Sequence, residues 1–68
     1  MLNKNKLRAA WVGKGLNQSD VAKAIGVSNK TFSARMKSGV FGSDEIEKMI
    51  SYLDIDDPMG IFFAGKVS

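Results

Sequence analysis

The sequence predicts an all-α fold, a compact bundle of about five short helices forming one domain over residues 1–68. Three observations predict it. Apolar residues recur at i, i+3 and i+4 in short stretches, and glycines and one proline punctuate those stretches at helix length. With 44% of 68 residues hydrophobic, the chain has material for a core and is not disordered. It contains no cysteine and no histidine, so neither disulfides nor the common zinc sets brace it, and helix packing must hold it together.

The first helix is predicted from about Lys4 to Gly13, with Leu7, Ala10 and Trp11 as its apolar stripe and Gly13 and Gly15 ending it. The second follows Asn17, whose side chain suits a helix cap. Leu16 is placed to staple onto Val21, and Asp20 lies in the first turn, where the helix dipole favours an acid. Val21, Ala24 and Ile25 are read as its buried face, and Gly26 as its stop. Ser28 caps the third, Val27 staples to Phe32, Phe32 and Met36 share the inner face, and Gly39 closes it. The fourth opens at Ser43, read as a cap, with Asp44, Glu45 and Glu47 near its start. Ile46, Met49, Ile50 and Leu53 give the clearest helical period in the chain. The run Asp54 to Pro58 breaks that period, and Pro58 starts a last short helix carrying Met59, Ile61, Phe62 and Phe63. Residues after Ala64 are expected to fray.

The net charge of +3 conceals an asymmetry. Up to Val40 the chain carries Lys4, Lys6, Arg8, Lys14, Lys23, Lys30, Arg35 and Lys37 against Asp20 alone. Beyond it, Lys48 and Lys66 face Asp44, Glu45, Glu47, Asp54, Asp56 and Asp57. A basic first half fits a polyanionic partner, most simply nucleic acid, with an anionic membrane surface or an ordinary solvated charge gradient as the alternatives.

Other chemistry is poorly supplied. Lacking Cys and His, the chain cannot assemble the usual nucleophile–base pairs, and it is not expected to be an enzyme or to need a cofactor. No uncharged run approaches the roughly 20 residues that span a bilayer, so no membrane segment is expected and a cytoplasmic location is inferred. Gly60, Gly65 and Lys66 have the spacing of a phosphate-binding loop, but Val67 replaces the Ser or Thr that would hold magnesium. Asp54, Asp56 and Asp57 lack the glycine and terminal Glu of a helix-loop-helix calcium site.

Two short helices, Gln18–Ile25 and Ser28–Lys37, are joined by a tight Gly-containing turn and form a unit over about residues 17–37. The run from Leu16 to Ser33 resembles the helix-turn-helix of the phage Cro and lambda-repressor-like family of DNA-binding domains. Gln18, Ala22 and Gly26 match that family in identity and spacing, with Val21, Ile25, Val27 and Phe32 in its apolar places. The later Glu45-Ile-x-x-Met-Ile-x-x-Leu53 helix and Ile61-Phe-Phe63 look like small repressor-type proteins encoded by phages of Gram-positive bacteria, so the resemblance covers most of the chain. One departure is Arg35, where the family usually has an apolar residue; Met36 is expected to turn inward and Arg35 to lie at the surface.

The resemblance implies sequence-specific binding of double-stranded DNA by a transcriptional regulator, a repressor or Cro-like protein, in the cytoplasm of a bacterial host. It places Ser28, Asn29, Lys30 and Ser33 toward base edges in the major groove. Asn29 suits adenine and Lys30 the guanine edge, while for Ser28 and Asn29 local capping is the competing role. Gln18 is expected on a phosphate, through its amide and the helix N-terminus, with Lys14, Thr31 and Lys37 as further phosphate contacts. One recognition helix covers too few base pairs to discriminate, so a homodimer on two half-sites is expected. Ile61, Phe62 and Phe63 are the expected contact, since a short helix cannot bury all three consecutive apolar residues in its own core; the alternative is that only one of them protrudes and the protein is monomeric. A rival reading is a module that regulates by docking on a partner repressor protein.

Overall fold

The structure, a computed structural model, describes residues 2–63. Five helices follow one another: α1 (Lys4–Val12), α2 (Gln18–Ile25), α3 (Asn29–Ser38), α4 (Ser43–Leu53) and α5 (Pro58–Phe62). No strand occurs among the described residues, and the molecule is the small all-α bundle that the periodicity predicts. The segment after Phe63, including the expected fraying and the Gly65–Lys66 pair, lies outside the described residues.

Local chemistry sets most helix ends. Asn17 caps α2 by accepting from the Asp20 N–H at 2.9 Å, and the Asp20 carboxylate accepts from the Asn17 N–H at 2.9 Å, so two donors are satisfied reciprocally. Ser28 caps α3 by accepting from the Thr31 N–H at 3.1 Å. Gly26 takes φ 81°, a left-handed conformation costly for any residue with a Cβ. That conformation turns the Val27 N–H back onto the Ala22 carbonyl at 3.0 Å and lets α3 begin after only three intervening residues. Asn3, not anticipated from the sequence, caps α1 by accepting from the Lys6 N–H.

The core converges on Phe32, which is fully buried. Trp11 of α1 meets it edge-on, with ring centroids 5.8 Å apart, and Phe41 from the α3–α4 loop packs at 5.3 Å. Each such aromatic pair contributes about 0.5–1.5 kcal/mol beyond the burial itself. Leu7, Val21, Ile25, Met36, Met49 and Leu53 close around them. α2 is the central element, packed against α4, α3 and α1, while α5 lies on α1. The Asn3 N–H donates to the Ile61 carbonyl at 2.6 Å and ties the start of the chain to that last helix.

Three sequence expectations are corrected. Ala24, read as part of the buried face, is exposed, because α2 packs against α4, α3 and α1 through Val21, Ala22 and Ile25 and leaves Ala24 outside those contacts. Ser43 is the first residue of α4, not its cap. Gly42 is the cap, and its N–H is satisfied from the other direction by the Glu45 carboxylate at 2.9 Å. Ile61 and Phe62 are core residues, seated beside Leu2 and α1, so the short last helix buries two of its three consecutive apolar residues. Only Phe63 of that trio stays partly open, beside the exposed Met59.

Candidate nucleic-acid interface

α3 presents two distinct faces. Phe32 and Met36 point into the core, and Asn29, Lys30, Ser33, Ala34 and Lys37 are exposed on the outside. Thus Asn29, Lys30 and Ser33 share an accessible surface with Lys37, and the small Ala34 leaves space at its middle.

The first residue of α2 bridges to this face. Gln18 Nε2 donates to Ser33 Oγ at 2.7 Å and lies 3.4 Å from Asn29 Oδ1, which accepts its other hydrogen. Asn29 and Ser33 are one helical turn apart, so one amide braces both. Both Gln18 amide hydrogens are therefore engaged within the protein. What α2 offers an anion is backbone: the N–H groups of Gln18 and Ser19, at the start of a helix, have no intrahelical acceptor. Asn29 keeps its own Nδ2 hydrogens and a second lone pair on Oδ1, which is what a bidentate contact with adenine requires.

Ser28 and Thr31 are committed locally. The Ser28 hydroxyl accepts from the Thr31 N–H and donates to Thr31 Oγ1 at 3.0 Å, which is the local capping role weighed for it. Thr31 is half-buried. Lys14, in the turn after α1, is exposed. Lys37 is exposed at the last turn of α3, and its carbonyl accepts from Lys4 Nζ at 3.3 Å. Lys4 thereby brings α1 charge to the carbonyl end of α3, where a cation suits the helix dipole. Sequence spacing gives no sign of this contact, because it joins residues 33 positions apart.

Comparison with protein-family models, curated proteins and solved structures returns no match.

On the far side of α3, Arg35 is half-buried, not fully at the surface as expected. Its Nε is sealed from solvent 3.0 Å from Glu45 Oε1, but off the line of the N–H, so the contact is an ion pair without an aligned hydrogen bond. Met36 turns inward as expected. An apolar groove of about 250 Å³ lies beyond α3, lined by Leu2, Val40, Phe41, Ile46, Phe62 and Phe63. No helix among the described residues is long and apolar enough to cross a membrane.

Proposed function

We propose that this chain binds double-stranded DNA sequence-specifically through α2 and α3 and acts as a transcriptional regulator of the repressor or Cro-like kind. The observation that carries the reading is the Gln18 amide holding Asn29 and Ser33 on one exposed face of α3. A braced amide and hydroxyl on a solvent-facing helix have no role in the core. They suit base edges, where the direction of each donor and acceptor must be fixed beforehand. Asn29 and Lys30 are the base readers, Ser33 supports them, and the N-terminus of α2 with Lys14 and Lys37 meets phosphate.

Charge supports the same orientation. The basic residues lie in the part of the chain that builds α1 to α3, whereas residues 41–63 carry one lysine against six acids and would turn away from DNA. In this reading two copies bind half-sites about one helical turn, roughly 34 Å, apart. With Ile61 and Phe62 in the core, the homodimer contact falls to Phe63 and the neighbouring exposed Val40. Together with the family resemblance, this gives a bacterial cytoplasmic regulator with no cofactor.

Selection of bound sequences from a random duplex pool tests the proposal. A recovered motif with two-fold symmetry supports both the DNA reading and the dimer, and a pool with no enrichment contradicts sequence recognition. The second reading, a module docking on a partner repressor protein, is favoured by the apolar groove at Val40 and Phe63. It predicts tight protein capture with no enrichment of DNA.

A further inference from the structure

We propose that Arg35 grips a DNA phosphate on the flank of α3 opposite Gln18, and that Glu45 is the positioning residue that aims it; the inference rests on the DNA-binding reading above. At 3.6 residues per turn, Arg35 lies about 200° around α3 from Ser33. Asn29 and Ser33 therefore form the flank that meets α2 through Gln18, whereas Arg35 forms the flank that meets α4 through Glu45. A helix seated in the major groove, about 12 Å wide, has a phosphate strand on each side. The N-terminus of α2 serves one strand. Arg35 is the cation on the other side of the same helix.

The state of its guanidinium fits that task. Nε is buried against Glu45, yet the side chain as a whole keeps 39% of its exposure, and neither Nη1 nor Nη2 is among the buried unpartnered atoms of the described residues. Among the described residues neither terminal nitrogen has a hydrogen-bond acceptor. That free edge is the planar fork that matches two phosphate oxygens. Glu45 is fixed in turn: it is 14% exposed and accepts from the Gly42 N–H at the start of α4, so it cannot swing out with its partner. A long flexible side chain is thereby ordered before DNA arrives, which lowers the entropy lost on binding.

The test measures the binding constant of the full chain for a labelled mixed-sequence duplex as a function of salt. Arg35→Met keeps the aliphatic stem and removes the charge. Its log–log salt slope should become shallower by about 1 per protomer, with equal loss on every duplex sequence, while circular dichroism and melting show a folded protein. Arg35→Lys supplies one compact ammonium in place of a fork whose separate nitrogens serve two acceptors, so pairing with Glu45 draws it away from the phosphate. Its slope should fall as in Arg35→Met, and adding Glu45→Gln, whose amide oxygen still accepts from Gly42, should free the ammonium and restore it. A purely structural ion pair gives no such restoration. A folded Arg35→Met with unchanged slope and affinity overturns the proposal, as does a double variant no steeper than Arg35→Lys. Absence of duplex binding by the unaltered chain at low salt removes the DNA-binding reading itself.

Discussion

Gln18 on α2 donates to Ser33 on α3 at 2.7 Å, across the turn that separates the two helices. With Asn29 on its second hydrogen, Gln18 makes the orientation of α3's outer face a property of α2. Ala22, fully buried, allows the helices to approach, and Gly26 allows the chain to return between them. Whatever α3 touches, it touches as part of a rigid pair.

Asn29→Ala should abolish preference at one base position of the selected site, at a cost of about 1–3 kcal/mol, and leave binding to random duplex unchanged. Titration of the mutant against both duplexes checks this. Equal losses on the two would assign Asn29 to capping or folding instead.

Gln18 and Asn29 should be energetically coupled on DNA. In a double-mutant cycle with Gln18→Ala and Asn29→Ala, the interaction energy on the selected duplex is expected between about 0.5 and 3 kcal/mol, because the first removes the brace of the second. On random duplex the coupling should vanish.

Phe32→Ala should unfold the protein. Truncating a buried Phe costs about 3–5 kcal/mol, and a domain this small without disulfide or metal rarely holds more than about 3–5 kcal/mol in total. Far-ultraviolet circular dichroism at 25 °C should show lost helicity, and Phe32→Leu should retain a cooperative but earlier melt.

Gly26→Ala should destabilise through the backbone alone. A Cβ there meets nothing within 4 Å, so the cost of about 1–2 kcal/mol comes from holding a non-glycine residue at positive φ. Urea unfolding should show a lower midpoint with an unchanged slope.

The sequence revealed what is local and missed what depends on distant partners. Asn17, Ser28, Gly26 and Pro58 act on backbone within a few residues, so their roles as caps, turn and helix start were legible. At α4 two local solutions competed, and the reach of Glu45 back to Gly42 displaced Ser43 as the cap. Ala22 and Ala24 have the same side chain, and only the packing of α2 between neighbours decides which is buried. Burial of Ile61 and Phe62 depends on the Asn3-to-Ile61 bond and on Leu2, contacts made across almost the whole chain. Likewise, the resemblance singled out Asn29, Lys30 and Ser33, which are exposed, but the engagement of both Gln18 amide hydrogens required α2 and α3 to be placed together.

The central claim, that α2 and α3 form a duplex-DNA reading head, meets its most direct test in the salt dependence of duplex binding by the unaltered chain. Several phosphate contacts per dimer predict that the logarithm of the binding constant falls with the logarithm of salt concentration at a slope of roughly −4 or steeper. A slope near zero, or no binding at low salt, would contradict it.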